Sequence, residues 1–227
     1  MIIALDIETI PNTTMIPLLP EPKISKTLKD PAKIEAAQAS AKQEQIDKMA
    51  LDALTARVAC YSVVGLVNPM SDGEQEHVEI IPEISDAAET VIIQSIMRML
   101  GSEDVRIVTW NGIGFDLPMI YKRAMVLGID PANFDAPPLT SWTKRYNTDR
   151  HFDLMQIWGG WSSAGFTKLD TVSRMVLGDN KTEDFDVTAI AGMLSTAEGR
   201  GKVSEYCLQD TRLTWELWKR FNGTLFA

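Results

Sequence analysis

Asp6 and Glu8 stand two residues apart in MIIALDIET, a segment whose apolar residues alternate. In an extended strand that spacing projects both acids from one face, about 6–7 Å apart. Ala4 shares their face, and Ile3, Leu5 and Ile7 take the other. Two like charges on an otherwise apolar face are costly, and a divalent cation between them is the natural compensation. The plainer alternative is a strand end whose acids face water, and an Asp-x-Glu triplet alone is a weak signal. Asp116 follows a Gly-containing loop and lies beside Pro118, which also suits a helix N-cap. Asp210 falls mid-helix, where Asp is a poor helix former, on the apolar stripe of Val203, Tyr206, Leu213 and Leu217. An unpaired acid pointing into a core is disfavoured, so a ligand or partner is expected there. Tyr206 is one turn earlier on the same face, which brings its hydroxyl beside the Asp210 carboxylate. Core packing accounts for Tyr206 alone, but not for the pair.

The elements that must position these residues are readable in outline. Residues 1–8 form a strand, followed by a Pro-rich exit at Pro11, Pro17, Pro20 and Pro22. An Ala-, Gln- and Lys-rich stretch at 31–55 predicts a polar helix. Around it seven basic residues (Lys23 to Arg57) nearly cancel six acidic ones (Glu21 to Asp52), which suits a solvated arm better than a binding element. Val58–Val67 and His77–Ile81 read as strands joined by a turn at Asn68–Gly73. Ser85 caps a helix to Leu100 that Gly101 closes. Arg106–Trp110 is a strand leading through Asn-Gly-Ile-Gly into a helix over Leu117–Leu127. The stretch 129–165, rich in Pro, Gly and Trp, resists assignment. Thr167 with Asp170 resembles a capping box for a helix to Leu177, stopped by Gly178. Lys202–Phe221 is a long amphipathic helix. Early strands followed by alternating helix and strand predict a mixed α/β sheet with helices packed on it. The expectation is one domain over 1–227, with 20–57 as an inserted polar helical arm.

Composition bounds the chemistry. The chain has 227 residues, 45% hydrophobic and 23% charged, which is ordinary globular usage and excludes disorder and collagen. No apolar run approaches the roughly 18 residues of a membrane span, and the N-terminus lacks the basic region of a signal peptide. Cys60 and Cys207 lie in apolar segments and read as reduced core residues, which with the missing leader suggests a cytoplasmic protein. Lys and Arg number 22 against 31 Asp and Glu, a formal charge of −9. That excludes a protein gripping nucleic acid by a broad basic surface, but not an enzyme that holds a few nucleotides through bound cations.

Three motifs then stand in order: Leu5-Asp6-Ile7-Glu8-Thr9, Asn111-x3-Phe115-Asp116 and Tyr206-x3-Asp210. Together they resemble the exonuclease motifs of the DEDD superfamily in its Tyr form, DEDDy. The resemblance is greatest to the proofreading exonuclease domain of family-B DNA polymerases and its stand-alone relatives, and runs from residue 1 to about 221. The His form would need histidine five residues before the last Asp, and that position is Glu205. The resemblance implies a ribonuclease-H-like fold and a hydrolase removing nucleoside 5′-monophosphates from the 3′ end of single-stranded or frayed DNA. It further implies two Mg2+ or Mn2+ ions held by Asp6, Glu8, Asp116 and Asp210, with Tyr206 hydrogen-bonding the attacking water. A tyrosine, with a reference pKa of about 10, suits positioning better than proton abstraction. By the same resemblance Thr9, Asn111 and Phe115 contact the terminal nucleotide; loop structure or core filling is the alternative for each. With no room for a polymerase domain in this length, any polymerase or repair partner acts in trans. An exoribonuclease is the rival in the same class, and a catalytically silent nucleic-acid-binding module on the same fold the rival in another.

Other residues take plainer readings. Lys122, Arg123, Lys144, Arg145, Arg150 and Lys168 are candidates for a local basic lane, each otherwise a solvated surface charge. Asp153 reads as a helix cap and Asp170 as the cap partner of Thr167. The six tryptophans are assigned mostly to the core, with Trp142, near the basic cluster, the one suited to stacking on single-stranded nucleic acid.

Overall fold

The computed structural model describes residues 1–25, 27–66, 73–179 and 185–226. Its centre is the strand β1 (Ile2–Pro11), paired along its length with antiparallel β2 (Ala56–Leu66), from Ile2 opposite Leu66 to Pro11 opposite Ala56. β3 (Gln75–Ile80) adds antiparallel to β2. On the other side β4 (Arg106–Thr109) lies parallel to β1, and β5 (His151–Asp153) parallel to β4. The order β3-β2-β1-β4-β5 makes a mixed five-stranded sheet, the ribonuclease-H-like arrangement that the motifs imply. The turn expected at Asn68–Gly73 falls, but for Gly73, outside the described residues.

The period of two along β1 sorts the core into two layers. Ile3, Leu5 and Ile7 pack with α2 (Asp86–Leu100) and α3 (Asp116–Val126), through Ile92, Ile96, Leu117 and Ile120. Ile2, Ala4, Val64 and Val108 pack on the opposite side with α5 (Leu169–Leu177) and α7 (Ala197–Phe221), through Val172, Leu213, Trp215 and Leu217. Two short helices, α4 (Leu154–Trp158) and α6 (Ile190–Met193), complete this framework. The predicted arm holds the helix α1 (Pro31–Lys48), capped by Asp30 and with no buried residue, as a polar arm requires. Among the described residues no helix is long and apolar enough to cross a membrane.

Several local expectations change. The unassigned stretch 129–165 contains β5, three residues long and therefore too short to show a period. The capping box at Thr167 does not form: its hydroxyl donates to the Gly165 carbonyl at 3.2 Å, and α5 begins after Lys168. Asp170 instead meets Arg174 one turn on, at 3.1 Å. α7 starts at Ala197, a turn earlier than expected, because Thr196 caps it by accepting from the Gly199 N–H. Trp142 is 1% exposed and donates its indole N–H to the Tyr121 hydroxyl at 2.8 Å, so it is core and no stacking platform. Trp158, conversely, is exposed and stacks on Phe221. Arg123 leaves the basic lane altogether, buried in an ion pair with Glu89.

Candidate active site

The carboxylates converge beyond the point where β1 loses its β4 partner. β4 pairs only with Ile2–Ala4, so Asp6, Ile7 and Glu8 run on past it. Asp6 and Glu8 project from one face, both half-buried, as alternation requires. Asp116 opens α3 from the second motif and is 3% exposed. It is not an N-cap: Phe115 takes that position without a side-chain cap bond. The backbone N–H dipoles that bear on the Asp116 carboxyl are its own and that of Ile7, the residue between the two strand acids. Burial, with the neighbouring Asp153 carboxylate adding to it, raises its pKa from 3.8 to about 7. Asp210, 4% exposed on α7, lines one cavity together with Asp6 and Asn111. Asp6 and Glu8 thus lie within one cluster, to which Asp210 is joined by the cavity it shares with Asp6 and Asp116 by the Ile7 backbone.

The loop that delivers Asp116 is built by Asp153. One Asp153 oxygen accepts from the Asn111 N–H at 3.2 Å and from Met155 and Gln156 at the start of α4; the other accepts from Ile113 at 2.9 Å. Asp153 is therefore the cap the sequence suggests, and it also fixes the second motif. Asn111 takes a left-handed φ of 74°, and its carbonyl accepts from Gly114 and Phe115. The glycines follow from this tight path: a Cβ on Gly112 would meet the Thr109 Oγ1 at 2.2 Å, and one on Gly114 the Asn111 Oδ1 at 2.4 Å.

Tyr206 is buried on the same face of α7 as Asp210, and its ring stacks on Phe185 at 4.0 Å with the planes 8° apart. His151 is not available as a base. Its ring nitrogens meet the Thr109 hydroxyl at 2.8 Å and the Trp142 carbonyl at 2.7 Å, and burial lowers its pKa. Cys207, next to Tyr206, has its sulfur within 4.8 Å of an oxygen of Asp6 and of Glu8. Burial, helped by Cys60 and by the nearby acids, pushes that thiol well above its ordinary value, so it stays protonated. Both cysteines are buried and free, in keeping with the core reading.

The remaining candidates divide between two cavities. Asn111 lines the first with Asp6, Asp210, Trp110, Phe166 and Lys168. Thr9 and Phe115 line the second with Glu8. The Thr9 hydroxyl donates to the Ala50 carbonyl at 2.7 Å, and Phe115 also packs against the core. Of the six basic-lane candidates, Lys168 alone lines either cavity. Arg145 is turned to the Trp161 carbonyl, and Arg150 lies over the Trp142 ring. Trp110 and Phe166 are aromatic walls that no local pattern marks; their one signal is adjacency to Asn111 and to the Thr167–Lys168 pair.

Comparisons with known proteins give the family and the fold. A family model described as a predicted 3′-5′ exonuclease related to the exonuclease domain of PolB matches residues 51–225. The DNA polymerase of Thermococcus litoralis is 32% identical over 125 residues, covering 51% of this chain and 7% of the polymerase. DNA polymerase 1 of Aeropyrum pernix is 31% identical over 152 residues, covering 63% of this chain and 15% of that protein. The family B DNA polymerase of Pyrobaculum calidifontis shares the fold, with a TM-score of 0.56 at 18% identity over 97% of this chain and 24% of its own. The chain thus spans a small part of the polymerases it matches. With the match extending over most of its length, the chain belongs to the family of predicted 3′-5′ exonucleases related to the exonuclease domain of PolB.

Proposed function

We propose that this chain is a divalent-metal-dependent 3′→5′ exonuclease that releases nucleoside 5′-monophosphates from single-stranded or frayed DNA. The reading is supported by the clustered Asp6–Glu8 pair, the cavity Asp6 shares with Asp210 and the Asp116 carboxyl beside Ile7, with Tyr206 on the Asp210 helix. The donor set fits hard cations. It consists of carboxylate oxygens, and the one neighbouring sulfur is held protonated. The raised pKa of Asp116 is the mark of a carboxyl whose charge is poorly compensated by its protein surroundings, which a bound cation would correct. Asp6, Glu8, Asp116 and Asp210 would hold two Mg2+ or Mn2+ ions. When bound, such ions lower the pKa of a water and stabilise the entering and leaving oxygens of an in-line displacement.

The chain's own residues then do the following work. The Tyr206 hydroxyl orients the attacking water, its ring direction fixed by the Phe185 stack. Asp153 and the two loop glycines hold Asn111 and Asp116 in place. Lys168 offers the cationic contact for a backbone phosphate, and Trp110, Phe166 and Phe115 offer faces for bases. DNA is preferred to RNA as substrate because the relatives are DNA polymerases. End-labelled single-stranded DNA and RNA of one sequence, incubated with Mg2+, Mn2+ or EDTA, test this directly. Stepwise mononucleotide release from the 3′ end of linear DNA is expected, and circular DNA should survive. Efficient cutting of the circle, or digestion in EDTA, would overturn the reading.

A further inference from the structure

The second cavity has a wall that the sheet does not supply. It measures ≈ 460 Å3 and is lined by Glu8, Thr9 and Phe115 from the framework and by Gln43, Ile46 and Asp47 from the arm helix α1. That volume suits a small ligand, for which pockets run about 300–1,000 Å3. The arm wall is anchored beside the site. Ala50, just past α1, receives the Thr9 hydroxyl at 2.7 Å, and Thr9 directly follows Glu8. The lining changes character along its length. The Glu8 end is anionic and belongs to the carboxylate cluster, whereas Ile46 and Phe115 offer apolar contact. At the arm, the Gln43 amide donates to the Asp47 carboxylate at 2.8 Å, so the pair presents donors and acceptors together.

We infer that the arm forms one wall of the pocket for the nucleotide being released, with Ile46 against the base and the Gln43–Asp47 pair at its polar edge. The inference rests on the exonuclease reading and adds residues from a segment whose charge balance suggested only a solvated arm. An anionic phosphate is disfavoured near Asp47, so the phosphate points to the Glu8 end, where cations are expected, and the base points to the arm. A base has an apolar face and a hydrogen-bonding edge, and this wall matches both.

The test is calorimetric titration of thymidine 5′-monophosphate and of inorganic phosphate, both with saturating Mn2+, into the parent and into Gln43→Ala/Ile46→Ala. α1 has no buried residue and Ala favours helix, so the variant should fold, which an unchanged melting temperature would verify. The parent should bind the nucleotide at least about tenfold more tightly than phosphate, the scale of one base contact. The variant should lose most of that preference while its phosphate affinity stays put. Undiminished nucleotide affinity in the variant, or no preference in the parent, overturns the inference. If the parent prefers the nucleotide, the variant loses that preference and neither digests DNA, the arm wall stands and the exonuclease reading fails.

Discussion

Glu89 and Asp116 are both buried carboxylates, at 0% and 3% exposure, and their surroundings could hardly differ more. Glu89 meets the Arg123 guanidinium side-on, at 2.6 and 2.7 Å, and accepts from the Val58 N–H at 2.9 Å. Arg123 in turn donates to the Ala53 carbonyl, so the pair is closed within the protein. At Asp116 the groups that bear on the carboxyl are backbone N–H dipoles and a further acid, Asp153. Dipoles soften the cost of burying a charge but do not cancel it. One carboxylate is neutralised by the chain itself; for the other, the proposed exonuclease reading calls on a cation from outside. The first is architecture and the second is chemistry, although burial alone would rank them alike.

That contrast can be broken by mutation. Asp210→Ala, on the chemical side, should lower single-turnover DNA cleavage by about three orders of magnitude or more, as losing a principal electrostatic contribution implies. Its fold should be retained, so a variant that unfolds would move Asp210 into the architectural class. Arg123→Ala should do the reverse. Leaving Glu89 buried with only the more distant Arg57 guanidinium, at 3.9 Å, should destabilise the protein by about 3 kcal/mol in urea titrations, while the folded fraction keeps its cleavage rate. A selective loss of rate in Arg123→Ala would instead tie that pair to the site.

Tyr206→Phe sharpens the chemical side. It keeps the stack on Phe185 and deletes one hydrogen bond near charge, worth about 1.5–3 kcal/mol, or roughly ten- to a hundredfold in rate. Mn2+ affinity should be nearly unchanged. Parental activity in this variant would make Tyr206 a packing residue only. A further effect is in stability against pH. Because the folded-state pKa of Asp116 lies above its ordinary value, the folded protein holds that proton more tightly than the unfolded chain. Its contribution is complete below about pH 4 and is lost as pH rises towards 7. Denaturation in EDTA across this range should show a fall in stability that Asp116→Asn flattens and that Mn2+ offsets near neutrality. Parallel curves for parent and Asn variant would show the carboxyl to be ordinary.

What could be read from the amino-acid order was whatever depends on near neighbours. The alternation of β1, the stripe of α7 and the caps at Ser85 and Asp153 are local patterns, and each appears in the structure. The four acids were legible as types on the right elements, though their meeting depends on the sheet order, which no local pattern states. Arg123 looked like a surface charge because its partner lies 34 residues away. Trp142 looked like a stacking platform because its sequence neighbours are basic, whereas its contacts come from Tyr121 and His151. β5 is three residues long and is defined by its parallel partner, so its identity resides in β4. The second task of Asp153, holding Asn111 and Ile113, was hidden for the same reason.

The ends of the arm carry a consequence of their own. Pro11 and Ala56 face each other across the β1–β2 ladder, and the Asn12 N–H donates to the Thr55 carbonyl at 2.7 Å. Everything between residues 12 and 55 is, to the sheet, one connection between neighbouring strands. The entropy of closing such a connection grows only with the logarithm of its length, about 0.6 kcal/mol per doubling. Natural selection can therefore lengthen, trim or exchange the arm helix α1, which buries no residue, at little cost to the framework, while Met49 and Ala53 stay packed and the carboxylates upstream stay where they are. On the proposed reading, a lineage could remodel how the substrate is gripped without touching how it is cut.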